Sequence, residues 1–539
     1  MLFNNVYGQN GFMLFFENLV IYDKYMKKTD ILFVVPAVTQ RIKQESIGTL
    51  ILAKKAQLAG FNVDIARYWN VKIDPKLDYN AFCNQFVEYI VSKKSKIVSF
   101  YCRCEEYHIC IDLSRRIKER TPDVIICFGG PQAELVAKET IRRFHHVDYV
   151  CCSEGENTII PLLKYIINDD KQTFVYGLTY RNGDNEVVQN TFPKFLKDDY
   201  SRKYYYYDLI PKELFRNCNS MPIDVGRGCP FSCTYCSTKI FWKRKFRLRN
   251  IMDIVDEIEY VQKTYGIDQF DFMHDLFTVN KNRITEFCRE VNRRGLHIKW
   301  GCDSRIDTIN FEMIDLMVSM GMTRIFYGIE TGSARMQKLI NKKLNLKKCD
   351  DIVKYSLKKG LEVTASFIYG YPEETEEDLN DTISYIVRFQ NYGCTVLTNL
   401  CHIMNGTELF EKYNDQLVLD KSTAYNRCIP AFDCLYDLIN ENKDMFANFC
   451  DFPNPLRDTM KYLDVYRYTL YYASKAQYRN KELYANMTMY YRFCKANYMI
   501  LGRAVPSSDG DVTNIRKVLK NTTPEIYMQM IDNLLDKNR

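Results

Sequence analysis

Short apolar runs alternate with amphipathic helical stretches along most of this chain, and this alternation constrains the fold more than any other feature. In residues 29–169, five runs predict strands: ILFVV, NVDIA, KIVSFY, DVIICFGG and VDYVCC. Helical patterns lie between them, such as Ile47 to Leu58 and Ile109 to Glu119. Parallel strands need helical crossovers, so the pattern predicts a doubly wound, Rossmann-like α/β domain.

A second series of strand–helix units occupies residues 221–405. Its predicted strands read PIDVG, FDFMHD, HIKWGCD, RIFYGIE, TASFIYG and VLTNLCHI. Predicted helices between them include Ile251 to Tyr265, Ile284 to Arg294 and Phe311 to Ser319. Six such units fall short of the eight in a complete TIM barrel, so we predict a partial (β/α)6 barrel.

Three further segments complete the predicted domain organisation. Residues 1–28 form an N-terminal extension, in which Met26 is a candidate for the natural start. Residues 170–220 form a connector that contains a small hairpin, with its turn at Asn182-Gly183. Residues 406–539 lack the strand–helix alternation and predict a helical C-terminal domain.

Composition narrows the class of protein and its location. The chain has 539 residues, but no run approaches the roughly 18–20 uncharged apolar residues of a membrane span. Its 20 cysteines are scattered, many of them in apolar runs, which favours free buried thiols in a reducing compartment over disulfides. We therefore predict a cytoplasmic protein. The net charge of +7 is small for this length and does not indicate a nucleic-acid partner.

The most specific local motif is a Cys-x3-Cys-x2-Cys spacing formed by Cys229, Cys233 and Cys236, directly after a predicted strand. Three thiolates on one loop can ligate three irons of a 4Fe-4S cluster, which leaves the fourth iron open. An open position is typical of a catalytic metal site. Structural zinc is the alternative, but it needs a fourth ligand at short spacing, and the nearest other cysteines are Cys218 and Cys288.

The cluster loop RGCPFSCTYCS resembles that of the radical SAM superfamily, in its class with an N-terminal cobalamin-binding domain. The motifs DQFDFMHDLFTVN, HIKWGCDSRIDTI, RIFYGIETGS and TASFIYGYPEET are similar to the later strand motifs of that family, in order and spacing. The resemblance covers roughly residues 30 to 405. It implies a 4Fe-4S cluster, S-adenosylmethionine (SAM) and cobalamin as cofactors.

The resemblance also implies residues that contact SAM. Asp275 occupies the place of a Gly-Gly-Glu-type motif near the methionine amino group, although it departs from that pattern. Arg305 is expected to pair with the SAM carboxylate, and Glu330 to accept hydrogen bonds from the ribose or the ammonium group. The alternative for these two residues is a buried ion pair with each other. The remaining candidates are the aromatic Tyr235 in the cluster loop, and Ser366 and Gly370 near the adenine.

Two motifs follow the fourth and fifth strands of the first domain, at the sheet edge where open α/β sheets bind ligands. They are Gly129-Gly130-Pro131 and Glu154-Gly155-Glu156. Taken alone they indicate only turns. Ahead of a radical SAM core, they predict a cobalamin site. The chain lacks the spacing of Asp-x-His-x-x-Gly, so we predict no histidine ligand to cobalt and expect His108 to cap or pack at a helix start.

A basic segment, KIFWKRKFRLR, runs from Lys239 to Arg249. It is compatible with binding an anionic substrate. We favour the interpretation that it covers the cluster and pairs with nearby acids.

The resemblance implies reductive cleavage of SAM to a 5′-deoxyadenosyl radical, followed by methylation of an unactivated carbon in a peptide or natural product. The open alternatives are a rearrangement enzyme, a methylthiolation enzyme and a non-catalytic iron–sulfur protein. The expected partners are a small-molecule or peptide substrate and an external electron donor such as flavodoxin or ferredoxin, with no membrane partner.

Overall fold

The structure is a computed structural model that describes residues 28–36, 45–73, 78–215, 218, 220–419, 433–452, 454, 456 and 533. The predicted start at Met26 and most of the predicted helical C-terminal domain lie outside the described residues.

The first domain is built on a mainly parallel sheet with the strand order β2-β1-β3-β4-β5-β6-β7. Its five parallel strands confirm the predicted ones. The predicted hairpin joins the same sheet as two antiparallel strands beside β5, so part of the connector belongs to this domain. The strands are β1 (Ile31–Val35), β2 (Val63–Arg67), β3 (Ile97–Tyr101), β4 (Ile125–Gly129), β5 (Tyr149–Cys151), β6 (Leu178–Arg181) and β7 (Val187–Gln189).

Helices connect these strands, and polar side chains fix where several of them begin. Ser46 and Asp78 cap the first two helices by accepting a backbone N–H from the first turn. The helices are α1 (Ile47–Leu58), α2 (Tyr79–Ser92), α3 (Tyr107–Arg120), α4 (Pro131–Leu135), α5 (Ala137–Arg143) and α6 (Gly155–Ile167).

The second domain is an open six-stranded sheet in the order β15-β14-β13-β12-β11-β8, with every neighbouring pair parallel. This arrangement confirms the predicted partial barrel. The strands are β8 (Met221–Asp224), β11 (Gln269–Met273), β12 (Lys299–Ser304), β13 (Met322–Glu330), β14 (Glu362–Tyr369) and β15 (Thr395–Leu400). A two-residue antiparallel ladder, β9 (Gly226–Arg227) with β10 (Arg247–Leu248), follows the first barrel strand.

The helices of the connector, the barrel and the segment after it are α7 (Lys212–Phe215), α8 (Thr238–Trp242), α9 (Ile251–Tyr265), α10 (Lys281–Arg293), α11 (Phe311–Ser319), α12 (Ala334–Leu339), α13 (Leu346–Lys358), α14 (Glu376–Tyr392), α15 (Glu408–Tyr413) and α16 (Tyr436–Glu441). Among the helices in the described ranges, none is both long and apolar enough to span a membrane.

The two domains share one apolar core, in which buried side chains of α1 and α6 belong to the same cluster as those of β8 and α9. Residues 433–452 return to the first domain, where Phe446 and Phe449 join its second core cluster. Residues 433–452 of the predicted C-terminal domain are therefore packed against the first domain, whereas Leu409 and Phe410 pack against the barrel domain.

Candidate active site at the domain interface

The three cysteines of the predicted cluster motif lie on one loop, between β9 and α8. Their thiols are free, with Cys233 buried and the other two partly buried. Burial raises the pKa of the Cys229 thiol to about 11 and also raises the pKa of Cys236. Metal binding would therefore have to displace thiol protons at neutral pH.

Iron ligation by this loop remains a prediction from its spacing and its donor atoms. Across the described ranges, no three His, Cys, Asp or Glu side chains converge as a ready metal site. The donor set nevertheless fits a 4Fe-4S cluster, because three sulfur donors on one short loop match the ligands of such a cluster with one iron left open.

Gly228 fixes the start of this loop. Its φ is 89°, and a Cβ at this position would overlap the carbonyl oxygen of Lys245. Only glycine fits such a close approach of two backbones. The Gly228 N–H donates a hydrogen bond to Asp275 Oδ2 at 2.8 Å. Asp275, a predicted SAM contact at the end of β11, thus also orients the residue before Cys229.

Arg305 lies against the cluster loop. Its guanidinium is centred 3.7 Å from the ring of Phe231, and Nη1 is 3.6 Å from Cys233 Sγ. Two further hydrogen bonds, both 2.9 Å, join it to the carboxylate of Asp307. The predicted contact with the SAM carboxylate stays a prediction, and the guanidinium is held close to the cysteine that would ligate the cluster.

Glu330 ends β13 with a φ of 72°, a strained left-handed conformation for a residue with a side chain. Its carboxylate binds Lys342 Nζ at 2.7 Å, and the same ammonium lies 3.4 Å from the Tyr235 hydroxyl. The alternative that Arg305 and Glu330 pair with each other is wrong, because each binds a different partner.

Lys342 is a site residue that the sequence analysis missed. Its side chain is 6% exposed, and its carbonyl oxygen accepts a 2.8 Å hydrogen bond from Arg305. The preceding residue, Asn341, donates to the carbonyl oxygen of Ser232 in the cluster loop at 3.0 Å. Residues 341–342 therefore support the cluster loop through hydrogen bonds to the loop itself and to Arg305. This role could not be identified from the sequence, because a single lysine after a short helix matches no motif.

The two predicted adenine contacts lie on and just after β14. Ser366 is buried, and its hydroxyl is 3.5 Å from Asn399 Nδ2. Gly370 has a φ of 82° and donates its N–H to Glu374 Oε2 at 2.6 Å. Burial raises the pKa of Glu374 to about 8. This carboxylic acid, also missed from sequence, fixes the turn at Gly370.

A cavity of about 700 Å³ lies between the two domains, within the size range of small-molecule sites. One wall is the carboxyl edge of the first sheet, including the ends of β1, β3, β4 and β5. The opposite wall belongs to the barrel domain and includes Thr238, Trp242, Met273 and Asp275. The predicted cobalamin edge and the segment that follows the cluster loop thus line the same space.

The predicted cobalamin motifs line this cavity. Gly130 has a φ of 99°, and a Cβ there would lie 2.9 Å from the carbonyl oxygen of Cys102. Gly129 and Pro131 also face the cavity. We call Gly129 and Gly130 the glycine cradle: without side chains at these positions, the sheet edge leaves room for a bulky ligand. His108 lies elsewhere, buried beside Phe449 with 4.9 Å between ring centres, and it is not among the lining residues.

Glu154, Gly155 and Glu156 line the cavity as well, but both carboxylates bind arginines of the barrel domain. Glu154 Oε1 lies 2.7 Å from Arg247 Nη1 and 3.2 Å from Arg227 Nη1. Glu156 Oε2 lies 3.2 Å from Arg227 Nη1. The predicted contacts of the two glutamates with cobalamin remain untested, and the structure gives both of them protein partners.

The basic segment is divided between paired and exposed residues. Lys239 binds Glu408 and Arg247 binds Glu154, as expected for a segment that pairs with nearby acids. Residues 243–245 are exposed. The carbonyl oxygen of Lys245 packs against Gly228, and Arg244 Nε donates to the Pro230 carbonyl at 3.2 Å. The segment therefore covers the loop that carries the cysteines.

Known proteins match this chain in both domains. A family model described as the B12 binding domain matches residues 38–163, and one described as the radical SAM superfamily matches residues 223–386. The chain is 28% identical over 364 residues to an uncharacterized methyltransferase of Pyrococcus horikoshii, which covers 67% of this chain and 78% of that protein.

A second relative is the anaerobic magnesium-protoporphyrin IX monomethyl ester cyclase of Cereibacter sphaeroides, 24% identical over 375 residues. That match covers 66% of this chain and 59% of the cyclase. Among solved structures, the cobalamin-dependent S-adenosylmethionine radical enzyme OxsB, with aqua-cobalamin and S-adenosylmethionine bound, superposes with a TM-score of 0.60 at 15% identity. The superposition covers 92% of this chain and 75% of OxsB and shows a common fold. Because one domain matches the B12 binding domain and the other matches the radical SAM superfamily, the chain belongs to the radical SAM superfamily, in the class that carries a cobalamin-binding domain.

Proposed function

We propose that this protein is a cobalamin-dependent radical SAM methyltransferase, which methylates an unactivated carbon of a peptide or natural product. The observation that carries the proposal is a cavity that residues of both domains line. The glycine cradle of the first domain and the barrel wall at Asp275 open on the same space. A methyl donor at one wall and a radical generator at the other need such a shared chamber.

The cofactors would supply the difficult chemistry: a bound 4Fe-4S cluster would cleave one SAM to a 5′-deoxyadenosyl radical, and cobalamin would carry a methyl group taken from a second SAM, which leaves as S-adenosylhomocysteine. In this proposal, Cys229, Cys233 and Cys236 hold the cluster and leave one iron open for SAM.

Other side chains of the chain orient SAM beside the cluster. Asp275 binds the methionine ammonium group, and Arg305 supports the carboxylate while donating toward Cys233 sulfur. Glu330, held by Lys342, accepts hydrogen bonds from the ribose. Ser366 and the turn at Gly370 contact the adenine.

The proposed partners follow from the electron balance of this chemistry. Reductive cleavage consumes one electron, for which we propose an external donor such as flavodoxin or ferredoxin. The substrate is a peptide or another small molecule that enters the cavity between the domains.

Two alternatives to methylation are considered, and one observation bears on each. The relative named as a cyclase keeps a rearrangement or ring-forming outcome open for the same cavity. Methylthiolation requires a second cluster in the first domain, but Cys102 and Cys110 there are fully buried, and burial raises the pKa of Cys104 and Cys110. Cys102 and Cys110 belong to the core of the first domain, and of the three thiols Cys104 alone lines the cavity, which favours methylation over methylthiolation.

The proposal is tested with protein purified anaerobically and reconstituted with iron, sulfide and hydroxocobalamin. After desalting, we expect retained cobalamin, and the electron paramagnetic resonance (EPR) signal of the reduced cluster should change on addition of SAM. With a strong reductant, 5′-deoxyadenosine and S-adenosylhomocysteine should form, and both should be lost in Cys233→Ala. A cluster without retained cobalamin would leave a radical SAM enzyme but refute the methyltransferase, and absence of any cluster would refute both.

A further inference from the structure

Two arginines of the barrel domain face each other across the short β9–β10 ladder, where Arg227 is the direct partner of Arg247. Their side chains are 14% and 4% exposed. Like charges directly opposite each other destabilise a pair of strands, and burial increases the effect. Asp224 of the same domain lies 3.8 Å from Arg227, but it is shared with Arg202 at 3.2 Å. The barrel domain by itself therefore leaves this pair under-neutralised.

The missing negative charge comes from the first domain. Glu154, whose side chain is fully buried, lies between the two arginines and binds both. Its other oxygen, Oε2, accepts the N–H of Leu196 at 2.6 Å. Glu156 binds Arg227 through both carboxylate oxygens. Two glutamates of one domain thus neutralise two arginines of the other, and we call these four residues the arginine–glutamate clamp.

The clamp connects the two predicted cofactor sites. Arg227 comes two residues before Cys229, on the strand that leads into the cluster loop. The glutamates flank Gly155 at the start of α6, on the wall of the cavity. A Cβ at Gly155 would lie 2.7 Å from Leu52 Cδ1, so this turn is also packed tightly against α1. A shift of the cluster loop or of the start of α6 would therefore move the other through these buried ion pairs.

We propose that the arginine–glutamate clamp is a positioning element, which sets the separation between the cobalamin edge of the first domain and the cluster loop of the second. This inference rests on the proposed function. Methyl transfer needs its reacting atoms within about 3–3.5 Å, and a misplacement of about 1 Å can cost on the order of 10²-fold in rate. The residues proposed to hold the cluster and SAM all belong to the barrel domain, so in this proposal loss of the clamp changes their distance from the cobalamin edge and leaves SAM cleavage possible.

The test compares Arg227→Gln, the charge reversal Arg227→Glu, and the exchanged pair Arg227→Glu with Glu156→Arg, all in the full-length chain. Arg324→Gln is the matched control, because Arg324 pairs with Asp271 inside the barrel domain. The first readout is hydrogen–deuterium exchange of the cofactor-free protein. We expect faster exchange at residues 153–157 in the Arg227 variants and no change there in the control. Exchange in the exchanged pair should be slower than in Arg227→Glu, although Glu154 and Asp224 would still face the new carboxylate at position 227.

The second readout uses protein loaded with iron, sulfide and hydroxocobalamin and then given SAM and a strong reductant, without substrate. In Arg227→Gln, iron content and 5′-deoxyadenosine formation should be retained, while the ratio of S-adenosylhomocysteine to 5′-deoxyadenosine falls on the order of 10²-fold. Unchanged exchange, an unchanged ratio, or no recovery in the exchanged pair would overturn the clamp. If the wild-type protein itself retains no cobalamin, the proposed function fails, whereas the exchange experiment still decides whether the clamp joins the domains.

Discussion

Replacing Gly130 by alanine tests whether the glycine cradle shapes the cobalamin site. Gly130 has φ 99° and ψ 176°, a region that is essentially restricted to glycine. An added Cβ would lie 2.9 Å from the oxygen and 3.1 Å from the nitrogen of Cys102, and both are backbone atoms that cannot rotate away. Forcing alanine into this conformation costs about 1–3 kcal/mol.

The substituted loop relieves this strain by moving, so cobalamin binding has to restore the strained conformation. Binding should therefore weaken by about 5- to 150-fold, the ratio that corresponds to about 1–3 kcal/mol. The assay is a hydroxocobalamin titration followed by absorbance, with iron content measured in parallel to show that the cluster loop is intact.

The neighbouring residue supplies the matched control for this substitution. A Cβ at Gly129 would meet the carbonyl oxygen of Cys151 at 3.9 Å, an ordinary van der Waals distance. Gly129→Ala should therefore keep its thermal midpoint, while that of Gly130→Ala falls. If Gly130→Ala binds hydroxocobalamin as tightly as the wild type, with an unchanged midpoint, the argument for the cradle is refuted.

Three further predictions concern the barrel domain. Lys342→Met should keep the iron content but lose the SAM-induced change in the EPR signal, because Glu330 and Tyr235 lose the ammonium group that both contact. Lys342→Arg should recover part of that change. A SAM-induced change as large in Lys342→Met as in the wild type would contradict this role. Burial raises the pKa of Glu374 above its unfolded value, so the folded state holds the extra proton and stability should fall as the pH rises from about 5 to 8. Glu374→Gln should flatten that fall in a series of thermal melts, and an equal slope in both proteins would show that the proton is held elsewhere. Cys233→Ala should lower the amount of iron bound after reconstitution. Cys288→Ala removes a buried thiol of α10 and should leave the bound iron unchanged. Equal iron in the two variants would argue against the cluster loop as the iron site.

The regular elements of both domains were predictable because their signals are local. The helices Ile47–Leu58, Ile251–Tyr265 and Phe311–Ser319 begin and end in the structure at the predicted residues. The second and third of these helices have an apolar face with the helical period, and in all three a Ser or Asn side chain caps the first turn. The hairpin in the connector was also predicted, but its membership of the first sheet depends on pairing with β5, which the local sequence does not encode.

The partners of the charged site residues were not predictable in the same way. Glu330 binds a lysine 12 residues further along the chain, and Glu154 binds arginines 73 and 93 residues away. The sequence identified these glutamates as functional through a resemblance, but their distance from the arginines is set by how the two domains pack.

By itself, the sequence determined the alternation of strands and helices, the two cofactor-binding domains and the three cysteines of the cluster loop. The alternation follows from periodicity and the cysteine loop from spacing, whereas the two cofactor-binding domains were implied by the resemblance of short motifs to a known family. The tertiary structure was needed to show that the predicted cobalamin edge and Asp275 line one cavity, that Lys342 supports the cluster loop, and that buried charges of opposite sign join the domains. Those features depend on side chains that are distant in sequence, and the burial that makes their pairing necessary exists only in the folded protein.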